Sequence, residues 1–409
     1  MSAIATRSLS RMLAAVLLAR VCGLELYGVF VICVAIESIA TALLNACNLA
    51  PMLSIGPGLP DSHRDAFLRH AAARHIRWSI WVAITCGLFA TMISDADLGW
   101  LCWGAFALAV FSSSALNAVR AIQQARFQLR RGFAAEVTGF LVPVAAVWLT
   151  ASCEPSDVLT VYFITWALAA GSAAASCLPL WSRRDTGAAL VPRDVMRRFD
   201  RMGLPMAVGS AANTACSRVQ PFVLQAAAGA ATVSAFGVAA TTIGPIRMLS
   251  MALSSVVRPR LALLQERATE AWSLATKVCL LIAAAGACGI LLALMVGASV
   301  IAWAFGAEYA HVGQLLPLAC IFATLEATAA ILVVAIQVMH ADGAAIATRM
   351  RVGVSGLSIL LVWPACSYGA ASGAFTTLCL TELLFLLLAA TAMQRLRRAT
   401  DEVAVASAA

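Results

Sequence analysis

Long apolar runs, nearly free of charge, recur from one end of this chain to the other. About eighteen or more such residues in helical form cross a hydrocarbon core about 30 Å thick. The runs predict membrane helices over residues 3–22, 28–50, 78–96, 98–119, 136–152 and 158–180, and again over 203–228, 231–256, 273–297, 311–338, 346–363 and 371–394. The expected fold is therefore an all-α integral membrane protein of about twelve transmembrane helices, in two six-helix lobes related by pseudo-two-fold symmetry. Residues 1–180 make the first lobe and 181–202 a cytoplasmic linker. Residues 203–398 make the second lobe and 399–409 a cytoplasmic tail. Gly23 to Phe30 (GLELYGVF) and Gly229 to Val238 (GAATVSAFGV) open the second and eighth spans and echo each other weakly. Repeat-built transporters of this kind place a substrate cavity between their lobes.

Composition closes off the alternatives. With 62% hydrophobic residues, 12% charged residues and a mean hydropathy of +0.88, the chain lies outside the balance of a water-soluble domain. Charge then orients the spans, because loops on the cytoplasmic side keep Lys and Arg. All but Arg20, Arg218 and Arg247 of the 28 basic residues fall in alternate loops on one side, from Arg7 and Arg11 to Arg395, Arg397 and Arg398. The opposite loops carry Glu25, Asp95, Asp97, Glu154, Asp157 and Glu308. Both termini are thus expected in the cytoplasm of a bacterial inner membrane, and the net charge of +8 suits contact with anionic membrane lipids, with no nucleic-acid partner needed. The 13 cysteines are scattered without CxxC spacing and read as small core residues. His63, His70 and His75 share one basic stretch that reads as a solvated surface; no metal site and no cofactor is expected. Arg7 and Arg11 followed by Met12 to Ala19 imitate a signal peptide, but hydrophobic spans follow at once, so this is read as the first membrane helix. Its apolar stretch is short, and an upstream extension of roughly ten residues is expected.

Ionisable residues at membrane depth are costly and usually face a cavity or a partner. Arg218, Arg247, Glu37, Glu326 and Glu382 are the candidates. Arg218 shares a helical face with Ser210, Thr214, Ser217 and Gln225, Arg247 with Ser250, Ser254 and Arg258, and Glu37 with Thr41, Asn45 and Asn48. Guanidinium suits bidentate phosphate binding, so one reading of the two arginines is an anionic ligand. The other is an internal ion pair of Arg218 or Arg247 with Glu37 or Glu326. Glu37, Glu326 and Glu382 are candidates for a coupling proton or cation. Asp95 and Asp97 resemble the acidic pair of a membrane glycosyltransferase, but the loop holding them is far shorter than such enzymes use.

Leu18-Ala19-Arg20-Val21-Cys22-Gly23 and Leu26-Tyr27-Gly28-Val29-Phe30 resemble a signature between the first two helices of polysaccharide flippases. These belong to the multidrug/oligosaccharidyl-lipid/polysaccharide exporter superfamily. Gly203-Leu204-Pro205, Ser217-Arg218, Ala252 to Ala262, Phe305 to Tyr309 and Tyr368 to Glu382 continue the resemblance, in order, through the second half. It implies two helical bundles working by alternating access, with helices 1, 2, 7 and 8 lining a cationic cavity. Arg20, Glu37, Asn45, Asn48, Arg218 and Arg247 lie on those helices. The implied substrate is a polyprenyl-pyrophosphate-linked glycan, an undecaprenyl-pyrophosphate oligosaccharide repeat unit moved to the outer leaflet for surface polysaccharide such as lipopolysaccharide or exopolysaccharide. A polysaccharide polymerase and chain-length proteins are the implied protein partners, and no covalent chemistry is expected. The rivals are a drug or cation antiporter of the same superfamily and, from another class, a membrane glycosyltransferase or polymerase.

Overall fold

The computed structural model describes residues 2–56, 59–93, 98–125, 133–175, 191–264, 268–339 and 343–408. Asp95, Asp97, Arg126, Arg130, Arg131 and residues 181–190 of the expected linker lie outside them, as do the side chains of the tail. Among the described residues every regular element is helical. The chain divides into two compact units, Met1–Phe222 and Val223–Ala409.

In the first unit α1 spans Ser2–Leu44 and turns back on itself at Gly23, whose φ of 70° and ψ of −176° are non-helical. A side chain at that φ would be strained, which is why glycine stands there. The reversal is proved by Arg11, whose guanidinium meets the Glu37 carboxylate at 3.0 Å across 26 residues of sequence. The two predicted spans 3–22 and 28–50 are therefore the arms of one hairpin. A π-helical turn, Asn45–Leu49, and α2, Ala50–Ile55, complete the second arm. Pro51 explains the π turn: it lacks an N–H for the carbonyl of Cys47 and its ring would strike that oxygen, so the helix widens one turn earlier.

Four further spans follow: α3 (Asp61–Ile93), α4 (Gly99–Ala125), α5 (Phe133–Leu149) and α6 (Pro155–Ala175). The histidine-bearing polar stretch expected to lie in water is part of α3, and His75 there is fully buried. Its Nε2 lies 2.9 Å from Ser114 Oγ on α4, and Ser79 Oγ is 2.7 Å from the same hydroxyl. Apolar packing binds the unit elsewhere. Phe30 meets Tyr162 edge-on at 5.5 Å, Phe106 and Phe163 are 5.2 Å apart, and Trp166 donates its indole N–H to Ser113 Oγ at 2.7 Å.

The next helix, α7 (Arg193–Arg218), packs onto α1, the π turn and α2, and so belongs to the first unit up to Phe222. Phe199 is wholly buried against Phe67, edge-on at 5.5 Å, within a cluster that includes Leu49, Met52 and Ile122. Arg74 pairs with Asp200 and stands 5.2 Å over the Phe199 ring. Gly203 allows a close backbone approach, since a Cβ there would come 2.6 Å from the Cys47 carbonyl oxygen. Gly203→Ala should therefore push α7 off the π turn and lower the amount of folded protein in the membrane, as read by fluorescence-detected size exclusion. Unchanged abundance and melting temperature would contradict the tight approach.

The second unit holds α8 (Gln220–Ala228) from Val223 onward, α9 (Ala230–Thr242), α10 (Gly244–Leu263), α11 (Ala268–Phe305), a 3-10 segment (Ala307–Leu315), α12 (Leu316–Met339) and α13 (Gly343–Ala408). Gly229 opens α9 with φ 79° and ψ 173°, nearly the backbone of Gly23 at the matching place in the first unit. The echo between the two glycine segments is thus a repeated turn. The remaining residues with positive φ among those described, Gly99, Gly306 and Ala370, also sit between paired helices on the side poor in basic residues. At Ala370 the long α13 reverses, and Arg351 reaches Glu382 across the hairpin.

Seven helices are long and apolar enough to cross a membrane by length and composition among the described residues, and two of them, of 45 and 51 residues, are such hairpins. With α5, the α7–α8 pair and the α9–α10 pair, the count is twelve spans, in two lobes. The outward faces fit this solvent. On α11, Leu280, Leu281, Leu291, Leu292, Leu294 and Met295 are all exposed. At about 25 cal/mol per Å² of apolar surface, such a face is stable against lipid and not against water.

Candidate functional site

Helices 7 and 8 of the twelve are both interrupted inside the membrane, and proline is the cause in each. Pro221 cannot donate to the carbonyl of Ser217 and its ring crowds that turn, so α7 ends at Arg218 and α8 begins at Gln220. Gln220 repairs part of the break by donating from Nε2 to the Cys216 carbonyl at 2.6 Å, with its whole side chain buried. Pro245 likewise stops α9 at Thr242, and α10 restarts at Gly244. Arg218 closes α7, where a cation suits the negative end of the helix dipole, and Arg247 stands in the first turn of α10. The two candidate arginines therefore mark two helix breaks. Irregular backbone at membrane depth is tolerated where protein or a cavity surrounds it, and broken helices carry the binding sites of many transporters.

The candidate carboxylates are each engaged by an arginine. Glu37 takes Arg11 through both oxygens, at 3.0 and 3.1 Å, with the guanidinium 4.8 Å over the Trp166 ring. Glu326 on α12 accepts from Arg247 Nε at 2.7 Å, and that guanidinium lies 5.1 Å over Phe322. Glu382 takes Arg351, which stacks 3.9 Å over Phe385. The same three-part device, arginine on carboxylate with an aromatic face behind it, thus occurs among the described residues twice in the first unit, counting Arg74 with Asp200 and Phe199, and twice in the second. Aromatic backing adds cation–π attraction where water is scarce.

Exposure separates the pairs. The Arg247 and Glu326 side chains keep 27% and 32% of their surface, whereas Arg351 and Glu382 keep 18% and 5%. The Glu382 Oε2 is buried without a hydrogen-bond partner, as are Ser355 Oγ and Ser358 Oγ on the facing arm of α13.

The other candidates fall as follows. Arg20 is exposed on α1, just before the Gly23 turn. Asn45 and Asn48 lie in the π turn; Asn48 is buried and donates to the Leu44 carbonyl at 3.2 Å, and both amide oxygens are buried without a partner. Of the hydroxyls on the Arg218 face, Ser210 donates to the Ala42 carbonyl of α1 and Ser217 to the Thr214 carbonyl of its own helix, and both stay half-buried. Such bonds are common for Ser and Thr in membrane helices. The Ser250 and Arg258 side chains lie outside the described residues. Among the described residues no group of His, Cys, Asp and Glu is placed to hold a metal ion.

Arg11 and Arg351 are the participants that sequence reasoning misses, because both stand near span ends where basic residues are assigned to water. Hairpin register is the signal that finds them. With a reversal at Gly23, position 11 faces the turn of helix around position 37.

No protein-family model and no curated protein sequence matches the chain. Solved structures do. A multidrug resistance MATE family transporter of the MOP superfamily, in an inward-facing conformation, is similar over 96% of each chain at 14% identity and a TM-score of 0.72. The lipid II flippase MurJ, in an inward closed conformation, is similar over 96% of this chain and 86% of its own at 10% identity and a TM-score of 0.71. A MOP superfamily transporter from Pyrococcus furiosus, described as having a binding pocket of reversed polarity, is similar over 97% of this chain and 96% of its own at 14% identity and a TM-score of 0.58. The chain therefore has the twelve-helix, two-lobe fold of MATE and MurJ transporters.

Proposed function

We propose that this protein is a transporter working by alternating access that carries a pyrophosphate-linked, prenyl-anchored oligosaccharide across the bacterial inner membrane for surface polysaccharide synthesis. The observation that carries the reading is the placement of Arg218 and Arg247 at the two proline breaks of helices 7 and 8. A guanidinium at a helix break offers fixed charge and directed donors to a phosphate group while a prenyl tail stays in lipid. Membrane lipids are the medium, and a polysaccharide polymerase and chain-length proteins are the partners this role implies.

Fold alone does not choose the cargo, since the similar structures include a lipid II flippase and multidrug transporters. Charge favours the anion. A cationic drug needs a carboxylate to meet it, and Glu37, Glu326 and Glu382 are each engaged by an arginine. Arg247 is in turn engaged by Glu326, but that pair is the more exposed of the two in the second unit and so the more open to exchange with an anion. A deletion strain should therefore lose surface polysaccharide and accumulate complete lipid-linked repeat units on the cytoplasmic face. Truncated units would point to a glycosyltransferase, unpolymerised units on the outer face to a polymerase, and intact glycan with drug hypersensitivity to a drug antiporter.

Orientation follows from the basic loops. Reporter fusions after Ala73, Arg131 and Thr186 should report cytoplasm, and fusions at Ala96, Pro155 and Gly306 the far side. Any two reversed fusions would break this topology.

A further inference from the structure

The first two turns of α7 have faces of opposite character. Val195, Met196, Phe199 and Met202 pack into the apolar cluster of the first unit, and Arg193, Arg197, Arg198 and Arg201 are exposed on the other side. At 100° per residue Arg197, Arg201, Leu204 and Val208 fall on one stripe, in steps of four, three and four residues. All four are exposed, so one face of the helix passes from guanidinium to bare leucine and valine within a single turn. Acid offsets little of this charge: Arg74 on α3 holds Asp200, which leaves Asp194 beside Arg197 and Arg198.

Helix α3 locates that change at the headgroup level of a bilayer. Phe67 meets Phe199, Arg74 meets Asp200 and Phe89 meets Phe222, so the two segments run in the same direction. Arg77, Trp81, Ile84 and Leu88 repeat the pattern on the exposed face of α3, basic first and apolar after, with Trp78 beside them. Tryptophan collects where hydrocarbon meets headgroups. From the Arg74–Asp200 contact, Arg77 lies three residues further along α3 and Leu204 four further along α7, about 4.5 and about 6 Å at the helical rise. Both helices therefore pass from headgroup to hydrocarbon at one depth.

We propose that this stripe of α7 binds an anionic phospholipid of the leaflet on the side of the basic loops. Its phosphodiester takes N–H donors from Arg197 and Arg201, and an acyl chain lies along Leu204 and Val208. A zwitterionic lipid offers the same phosphate but brings its own cation, so a lipid of net negative charge is preferred. Bound there, it holds the start of the helix that ends at Arg218, from the side opposite the apolar cluster. The assignment concerns the surrounding membrane and stands or falls independently of the cargo.

The test adds phosphatidylglycerol or phosphatidylcholine of the same acyl chains, at equal concentration, to the purified full chain in detergent, and reads bound lipid by native mass spectrometry. The wild type should bind phosphatidylglycerol at least about fivefold more tightly than phosphatidylcholine. The water-soluble headgroup glycerophosphoglycerol, which lacks the acyl chains, should not bind. Neither of these two measurements needs a variant. Arg197→Gln with Arg201→Gln should weaken phosphatidylglycerol binding at least about tenfold, because each arginine at an anionic lipid contributes about fivefold. Arg260→Gln with Lys277→Gln removes the same charge from exposed positions of the second unit and should leave binding within about twofold of the wild type. No preference for phosphatidylglycerol, binding of the headgroup as tight as that of the whole lipid, undiminished binding in the α7 double variant, or an equal loss in the second-unit variant would each overturn the proposal.

Discussion

Arg247→Ala and Arg218→Ala should each reduce transport of the lipid-linked glycan at least tenfold while the protein stays at normal abundance in the membrane. A charge-assisted hydrogen bond contributes about 1.5–3 kcal/mol, and 1.4 kcal/mol is a factor of ten in affinity. Abundance should hold because both arginines are only half-buried, and the carboxylate left behind at Glu326 keeps 32% of its side-chain surface. Lys at either position should rescue in part, since it restores a point charge but not a fork. Export and membrane level, measured side by side, decide the matter. Full export in both alanine variants removes the anion site, and a collapse in level makes the Arg247 pair a structural strut.

The opposite outcome is expected one hairpin away. Arg351→Ala should strongly deplete the folded protein, because it strands Glu382, of which 5% is exposed, inside α13. Breaking a buried pair on one side costs roughly 3–5 kcal/mol, a large part of the stability of most domains. Replacing both partners with apolar residues, Arg351→Met with Glu382→Leu, should bring the level back, since a well-packed apolar pair often matches a buried ion pair. If the single variant is as abundant and as heat-resistant as the wild type, or the double variant is no better than the single, the buried pair does not hold the hairpin. The exposure difference between the two pairs is thus the reason for predicting loss of function at one and loss of protein at the other.

Most of the fold is legible in the sequence because one physical rule dominates it: backbone polar groups in lipid must be satisfied within a helix. Apolar length therefore finds the spans directly, and Gly23 and Gly229 mark matching turns by residue type alone. What the sequence hides are adjustments within the runs. Pro51, Pro221 and Pro245 are visible, but whether a proline yields a π turn, as at Asn45–Leu49, or a clean break, as after Arg218 and Thr242, depends on neighbouring groups such as Gln220 and Gly203. The site is less legible for the same reason. Glu37, Arg247, Glu326 and Glu382 stand out as charges in apolar surroundings, but their partners lie 26, 79 and 31 residues away and are set by hairpin register and helix packing. Arg11 and Arg351 look like ordinary flanking residues until those contacts are known, and His75 looks solvated until α4 covers it.

Cargo is best tested in proteoliposomes holding the purified protein and a fluorescent polyprenyl-pyrophosphate-linked oligosaccharide in both leaflets. A membrane-impermeant reductant quenches only the outer leaflet. Vesicles with active protein should lose nearly all of the fluorescence, at a rate that falls at least tenfold with Arg218→Ala or Arg247→Ala. Retention of the inner-leaflet signal at the level of protein-free vesicles, together with exchange of a cationic dye by the same vesicles, would contradict the flippase reading and leave a drug antiporter in its place.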